Sequence, residues 1–261
     1  MATSDRPASR TRLEAADLRS AWVDHAAEWI AWARAPGHDS YAQFHREAFL
    51  PLLPSPGRKT LDLGSGEGRL SNDLARLGHT VVGIDRSPLL VEAARAAYPD
   101  IAFELADAAS LPFEDESFDC VVAFMSLQDT DDLDAAIGEC GRVLSEGGRL
   151  CMAIIHPINS AGWFDDVTAD AGFVIEGSYL DDSFYEHSRA RDGLAMTFVS
   201  KHRPLQSYSD ALAQEGFLIE SIREPGVPDT VHQEWARRWR RIPLFLHCRA
   251  VKAELRGNPP P

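Results

Sequence analysis

The chain has 261 residues, of which 44% are hydrophobic, so it is long enough to bury one sizeable core. Its formal net charge of −14 at pH 7 argues against a nucleic-acid-binding enzyme, which would present a basic face. No apolar run approaches the length of a membrane span, and the four scattered cysteines suit a reducing cytoplasm. We therefore expect a cytoplasmic protein without membrane or nucleic-acid partners. The polar residues 1–12, which lack a signal-peptide core, and the Pro-rich residues 256–261 are predicted to be disordered.

Two helices are predicted before the first strand. Apolar residues recur at helical spacing between residues 13 and 35, where Trp22 and Trp29 share one stripe. This pattern predicts a core-facing helix that covers the edge of a ligand pocket. Residues 41–53 predict a second, shorter helix that ends at Pro54.

The run LDLGSGEGRL at residues 61–70 is the most informative motif. An apolar strand leads into three glycines spaced G-x-G-x-G, and a helix follows. Glycines let backbone amides approach a ligand closely, and a helix N-terminus can face an anionic group. The dinucleotide fingerprint is one residue longer, and here Asp62 precedes the first glycine. A carboxylate at this position would repel a pyrophosphate, whereas it suits the two cationic groups of S-adenosylmethionine (SAM).

Acidic residues end the next two predicted strands. Residues 80–85 form an apolar run that ends in Asp85, about twenty residues past the glycines, where a carboxylate can accept both ribose hydroxyls. Residues 101–108 form a third strand with Asp107 near its end, and that carboxylate can accept from an adenine amino group. Residues 117–124 form a fourth strand. The glycine loop and the two acids, each at a strand end, together predict a SAM site.

Strands and helices alternate from residue 59 to residue 155, which predicts a parallel sheet with helices on both faces. Residues 156–203 interrupt this alternation with a segment rich in aromatic and acidic residues. Within it, residues 172–180 and 194–202 are both extended in pattern, which predicts a hairpin.

The chain then returns to regular elements. Residues 207–215 predict a helix stopped by Gly216, and residues 217–224 and 244–252 complete the sheet as an antiparallel pair. No boundary between independent cores is visible, so residues 13–255 are predicted to be a single domain.

These segments resemble the class I SAM-dependent methyltransferases, in particular the small-molecule branch related to ubiquinone-biosynthesis methyltransferases. The resemblance is carried by LDLGSGEGRL at 61–70, VVGIDRSPLLVEAAR at 81–95, ADAASLPFEDESFDCVVAFMSL at 106–127 and RVLSEGGRLCMAI at 142–154. It implies an α/β fold, a Rossmann-like doubly wound seven-stranded sheet with an N-terminal helical segment. It also implies that residues 156–203, inserted after the fifth strand, form a cap over the acceptor.

The resemblance implies how SAM is held. Residues matching Asp62 and the glycine loop surround its methionine part, and the backbone after the fourth strand lies near the amino group. The match to Asp85 binds the ribose, and the matches to Asp107 and Ala108 hold the adenine. Tyr41 is the aromatic residue that closes over SAM, and the alternative for it is a packed surface tyrosine. The implied cofactor-binding residues are Tyr41, Asp62, Gly64, Ser65, Gly66, Asp85, Arg86, Asp107, Ala108, Phe124 and Met125.

Two residues are candidates for acid–base chemistry. His156 ends the fifth strand before Pro157, where it can act as a general base or merely cap the strand end. Asp129 follows the fourth strand and can orient or deprotonate an acceptor, or serve as the N-cap of the next helix. Because His-Pro stands where metal-dependent relatives need an acid and an amide, no metal is predicted.

These observations favour methyl transfer from SAM to a small organic acceptor, with S-adenosylhomocysteine as product. O-methylation in secondary metabolism is the first choice because His156 offers a base. N- or C-methylation, a cyclase or lyase that binds SAM without methyl transfer, and a non-catalytic binder are the alternatives. The protein is expected to be a monomer or a homodimer.

Overall fold

The computed structural model describes residues 10–175, 177–232 and 234–253 of the chain. The strands are β1 (Arg10–Leu13), β2 (Thr60–Leu63), β3 (Val81–Asp85), β4 (Ala102–Leu105), β5 (Phe118–Phe124), β6 (Leu144–Ile155), β7 (Gly162–Phe164), β8 (Phe173–Ile175), β9 (Ser183–Arg191), β10 (Leu194–His202), β11 (Phe217–Arg223) and β12 (Phe245–Lys252). The α-helices are α1 (Leu18–Asp24), α2 (Ala26–Arg34), α3 (Arg46–Phe49), α4 (Arg69–Arg76), α5 (Pro88–Ala97), α6 (Leu133–Val143), α7 (Pro157–Ser160), α8 (Leu205–Gln214) and α9 (Glu234–Trp239).

Seven strands form the central sheet in the order β11-β12-β6-β5-β2-β3-β4. Strands β6, β5, β2, β3 and β4 are parallel, and β12 runs antiparallel to both of its neighbours. The strand order reverses between β2 and β5, and ligands bind open α/β sheets at such a switch point, beyond the carboxyl ends of the strands. The predicted Rossmann-like doubly wound seven-stranded sheet is therefore confirmed.

The apolar strands are buried on both faces because helices cover both sides of the sheet. In β5, Val121 and Ala123 belong to one core cluster, whereas Cys120 and Val122 belong to the cluster on the opposite face. This alternation follows from the two-residue period of a strand. It explains why β5 is apolar without interruption from Cys120 to Phe124.

The segment between β6 and α8 builds two small sheets, one of which includes the start of the chain. Strands β9 and β10 form a hairpin, β1 pairs with β9, and β7 pairs with β8. The predicted hairpin thus has the wrong partner: residues 194–202 pair with 183–191, whereas part of 172–180 pairs with β7. Residues 10–12, expected in a disordered arm, form most of β1 because β9 supplies their hydrogen bonds.

The N-terminal helices also differ from the prediction. The expected single helix over 13–35 begins only at Leu18, where the carboxylate of Asp17 accepts from the backbone N–H of Ser20, and it is interrupted at His25. The predicted helix over 41–53 is a π-helical turn at Tyr41–His45, then α3, then a 3-10 turn at Leu50–Leu52. The predicted disorder of residues 1–9 and 256–261 lies outside the described residues. In the described ranges, no helix is long and apolar enough to cross a membrane.

Candidate functional site

The glycine loop between β2 and α4 has a backbone conformation that favours glycine. Gly64 and Gly66 have φ of +76° and +57°. A Cβ on Gly64 would lie 2.5 Å from the Cβ of Ser126, which follows β5, so a side chain would force the two strand ends apart. The hydroxyl of Ser65 is buried and has no hydrogen-bond partner among the described residues. A buried donor left open in this loop fits the carboxylate of the methionine part of SAM.

Asp85, at the end of β3, is held by two backbone amides. Its Oδ2 accepts from the N–H of Gly66 at 2.9 Å, and its Oδ1 accepts from the N–H of Ser87 at 2.9 Å. Burial raises the pKa of this carboxyl group, although the two hydrogen bonds oppose the shift. Each oxygen retains further acceptor capacity, so the geometry suits two ribose hydroxyls. The neighbouring Arg86 turns to the acceptor side, where its Nη2 donates to the carbonyl of Asp129 at 2.6 Å.

Asp62 lies beneath the glycine loop. It is 1% exposed, and its Oδ2 accepts from the hydroxyl of Ser71 in α4 at 2.5 Å. Burial raises the pKa of Asp62 to about 7, and the hydrogen bond from Ser71 opposes this shift. The observed contact ties the end of β2 to the following helix. The direct role at the methionine part that the resemblance implies for Asp62 stays a prediction.

The acid at the predicted adenine site is paired with the N-terminal segment. The Oδ1 of Asp107 accepts from the N–H of Ala109 at 3.0 Å, and its Oδ2 accepts from the guanidinium of Arg19 in α1. Ala108 is partly buried against the main core cluster. A ligand amino group directed at Asp107 would therefore meet Arg19 first, and no sequence pattern predicts this contact.

Trp29 lies against the glycine loop, and Trp22 packs on Trp29. The indole nitrogen of Trp29 lies 3.4 Å from the position that a Cβ on Gly66 would occupy, and the rings of Trp22 and Trp29 meet edge to face at 5.8 Å. Trp29 also contacts Phe198 of β10, with ring centroids 6.1 Å apart. Trp29 therefore joins the glycine loop to the inserted segment, and the expectation that the N-terminal helices cover the edge of a ligand pocket stays a prediction.

The aromatic residue proposed to close over SAM lies in the core. Tyr41 is 3% exposed, its ring meets Phe124 edge to face at 5.4 Å, and its hydroxyl donates to Asp73 at 2.7 Å. Burial is the main cause that raises the pKa of this phenol. These contacts agree with the alternative of a packed tyrosine. They differ from it in one respect, because the ring is buried in the core and does not lie at the surface. Met125, next to Phe124, has φ of +54° and donates its N–H to the carbonyl of Ala153 at 2.8 Å.

Asp129 is a buried carboxylate at the end of β5. It is 7% exposed, its Oδ1 accepts from the hydroxyl of Ser200 in β10 at 2.6 Å, and its Oδ2 lies 3.3 Å from the amide nitrogen of Gln128. Burial raises the pKa of Asp129 to about 7. The N-cap of α6 is Asp132, which accepts from the N–H of Ala135, so Asp129 is not used as a cap.

The backbone around Asp129 is held by a buried arginine. The guanidinium of Arg203 donates to the carbonyl of Thr130 at 2.6 Å and to the carbonyls of Gln128 and Asp131 at 3.3 Å. Three carbonyls on one guanidinium fix the loop that carries the carboxylate. The sequence shows Arg203 only as part of His-Arg-Pro after the inserted segment, which does not reveal this role.

His156 has partners on both ring nitrogens. Its Nδ1 accepts from the N–H of Ile158 at 3.0 Å and so caps α7, which makes Nε2 the protonated nitrogen that donates to Glu224 at 3.0 Å. Burial lowers the pKa of His156, and Glu224 opposes that shift. Neither nitrogen is open to an acceptor, so these contacts support the capping alternative. Within the described parts of the chain, no three His, Cys, Asp or Glu side chains gather into a metal-binding group.

Comparison with known proteins agrees with this geometry. Residues 61–152 match the family described as "Methyltransferase domain". A demethylmenaquinone methyltransferase of Beutenbergia cavernae is 42% identical over 109 residues, which cover 41% of this chain and 45% of that protein. Methyltransferase GfsG of Streptomyces halstedii is 40% identical over 130 residues, which cover 47% of this chain and 45% of that protein.

The solved structures extend the likeness beyond the matched domain. A SAM-dependent methyltransferase of Mesorhizobium loti superposes with a TM-score of 0.65 at 29% identity, over 78% of this chain and 96% of its own. A second neighbour, from Listeria monocytogenes, shares the fold with a TM-score of 0.66 at 21% identity, over 89% of this chain and 99% of its own. The chain spans just under half the length of the curated relatives it matches. The methyltransferase domain at residues 61–152 and the seven-stranded sheet around it are those of the class I SAM-dependent methyltransferases.

Proposed function

We propose that the protein transfers a methyl group from SAM to an oxygen of a small organic acceptor, with Asp129 as the general base. The observation that carries the O-methylation is the buried Asp129, which lies in the turn after β5, accepts from Ser200 and has a pKa of about 7. A base with a pKa near the working pH is both available and effective in taking a proton. We expect the reaction to take place in the cytoplasm and to belong to secondary metabolism. The four buried free cysteines suit a reducing cytoplasm.

The chain's own residues divide the work between binding and proton transfer. The glycine loop would hold the methionine part of SAM, and Asp85 would accept its ribose hydroxyls. Asp107 would accept from the adenine amino group. Bound SAM supplies a methyl group on a sulfonium, which needs no further activation. Trp29 and β10 close the pocket against water, and the carboxylate of Asp129 takes the proton of the acceptor hydroxyl. Ser200 and Arg203 position Asp129 for that transfer.

The acceptor is found first, by comparing the metabolites of producing cells with and without the protein by mass spectrometry. We expect one compound to differ by a single methyl group, and fragmentation to place that group on oxygen. Purified protein is then assayed for S-adenosylhomocysteine with the unmethylated compound. A methyl group on nitrogen or carbon would contradict the O-methylation, and a change in the compound without S-adenosylhomocysteine would indicate a cyclase or lyase.

Asp129→Asn tests the base. The variant keeps the size and the acceptor for Ser200 but cannot take a proton, so kcat should fall by about 10²–10⁴-fold while SAM affinity stays close to that of the parent. The kcat of the parent should rise with pH through about 7, because the carboxylate must be ionised to accept a proton, and the variant should lose this dependence. Asp134→Asn, in the exposed first turn of α6, is the matched control and should keep full activity. An Asp129→Asn variant with the parent's rate would remove Asp129 from the mechanism.

A further inference from the structure

The central sheet ends at β11, a strand with apolar residues at its surface. Among the described residues, β11 pairs only with β12. Three large apolar side chains of this strand reach solvent, since Leu218, Ile219 and Ile222 are 62%, 44% and 41% exposed. An exposed apolar edge strand offers unpaired backbone groups to a further strand. This edge is therefore a candidate surface for contact with another chain.

A β-bulge places the two isoleucines on the same face of the sheet. Ile219 lies opposite Ala250 and Ile222 lies opposite Cys248, and the register shifts between them with Glu220 as the extra residue. Ala250 and Cys248 belong to the core cluster that includes residues of α8, so both isoleucines stand on the α8 side. Without the extra residue, side chains three positions apart would point to opposite faces.

The remaining side chains of this stretch stand on the opposite face. Leu218, Ser221 and Arg223 lie opposite residues 251, 249 and 247 of β12. The carboxylate of Glu220 lies 2.7 Å from the guanidinium of Arg249, so Glu220 shares that face. The order of faces from Leu218 to Arg223 therefore reads the same from either end of the strand.

This symmetry fits a second copy of the same strand. When two copies of β11 run antiparallel with Glu220 opposite Ser221, each residue meets one from the same face of the sheet. Ile219 then lies opposite Ile222 of the second copy, and this apolar pair occurs twice because the contact is two-fold symmetric. No other antiparallel register matches the faces of all six residues from 218 to 223.

The charges on this strand are complementary in the same register. Arg223 is exposed and would lie opposite Leu218 of the second copy. Its diagonal neighbour there is Glu220, which is within reach of a long side chain, and the symmetry provides two such pairs. Two copies of a chain with a net charge of −14 repel each other at long range, so opposite charges in register favour approach through this edge.

We propose that the protein is a two-fold symmetric homodimer in which the β11 strands of two copies pair antiparallel and join their central sheets into one. The contact buries Ile219 and Ile222 of both copies and pairs the open backbone groups of both edges. It leaves the glycine loop and Asp129 of each copy outside the interface, because β5 and β2 lie three and four strands away from β11. The dimer is therefore independent of the proposed base and acceptor.

Sedimentation velocity of the full chain over a series of concentrations tests the dimer. We expect the parent to sediment as a dimer, and Ile222→Lys to raise the dimer dissociation constant at least about tenfold, because each lysine would lose water opposite an isoleucine. Val174→Lys is the matched control, since Val174 in β8 is also 41% exposed, and it should leave the dissociation constant unchanged. Circular dichroism shows that both variants are folded. A parent that is monomeric at every concentration, or a dimer that Ile222→Lys leaves intact, would overturn the proposal.

Cysteine cross-linking tests the register. Ile219→Cys combined with Ile222→Cys sets thiols opposite each other across the proposed contact, so mild oxidation with diamide should give a disulfide-linked dimer on a non-reducing gel. Leu218→Cys combined with Ile222→Cys is the matched control, because its thiols lie on opposite faces of the joined sheet and should not cross-link. The four native cysteines are buried. Equal cross-linking of the two double variants, or none in the first, would refute the pairing of β11 with β11 in this register.

Discussion

At the scale of single residues, hydrogen-bond partners distinguish the two candidate bases. Both stand just after parallel strands, so the sequence could locate them but could not choose between them. The two ring nitrogens of His156 are each occupied, one by a backbone amide and one by Glu224. Asp129 accepts one short hydrogen bond, and the polar atom nearest its second oxygen is 3.3 Å away. The sequence could not reveal the distant partners, because Glu224 lies 68 residues from His156 and Ser200 lies 71 residues from Asp129 along the chain.

His156 is expected to act on stability rather than rate. His156→Ala removes the N-cap of α7 and the bond to Glu224, so the free energy of unfolding should fall by about 1–2 kcal/mol, while kcat changes only a few-fold. His156→Asn should recover part of the loss, because asparagine is a good N-cap. Urea unfolding and the rate of S-adenosylhomocysteine formation measure the two effects. A hundredfold loss of kcat in a variant of near-parental stability would restore His156 as the base.

At the scale of elements, the sequence predicted the strands and loops that have a local residue pattern. The strands from β2 to β6 have apolar runs and turn signals, and the glycine loop has a spacing that few other structures use. Pairing over long distances could not be predicted in the same way. Strand β1 is only four residues long and its register is set by β9, which follows some 170 residues later. The arginine-rich run at residues 237–241 has the pattern of a solvated helix face, yet Arg238 and Arg241 donate to the carbonyls of Val167 and Ala171 in the inserted segment.

The pairing of α1 with the adenine site predicts an effect on cofactor affinity. Arg19 holds Asp107 in an ion pair, so an adenine amino group bound at Asp107, as the sequence predicts, would have to displace it. The Arg19 side chain is 62% exposed, and exposed pairs contribute between about 0 and 1 kcal/mol, so Arg19→Met should tighten SAM binding by up to about fivefold. Calorimetry measures this change. Arg34→Met, which removes an exposed arginine of α2 that contacts only the carbonyl of Ala93 among the described residues, is the control and should leave the affinity unchanged. Weaker binding by Arg19→Met would show that Arg19 contacts the cofactor itself.

At the scale of the whole molecule, the acidic composition conceals two kinds of carboxylate. The formal net charge of −14 counts all 40 acidic residues as ionised, yet Asp62 and Asp129 are buried and have pKa values raised to about 7. The sequence places both residues at strand ends, but their protonation depends on how completely helices and the inserted segment exclude water. The site therefore has a cost in stability that composition alone does not reveal.

This cost is measurable through the pH dependence of Asp62. Its pKa is about 7 in the folded protein and near its ordinary value of 3.8 in the unfolded chain, so between these values the folded state holds a proton that the unfolded state has released. The free energy of unfolding of the parent should therefore fall as pH rises from about 4 to about 7, relative to Asp62→Asn, which stays neutral and can still accept from Ser71.

Urea unfolding is measured at steps from about pH 4 to about pH 8. The free energy of unfolding of Asp62→Asn should rise relative to that of the parent by a few kcal/mol up to about pH 7, and this difference should then stay constant. Ser71→Ala is the opposing variant. The hydroxyl of Ser71 lowers the pKa of Asp62, so its removal should raise that pKa further and make stability more dependent on pH than in the parent. If parent and Asp62→Asn kept a constant difference over this range, Asp62 would be ionised in the folded protein, and its charge would then be available to face the ammonium group of SAM as the family resemblance implies.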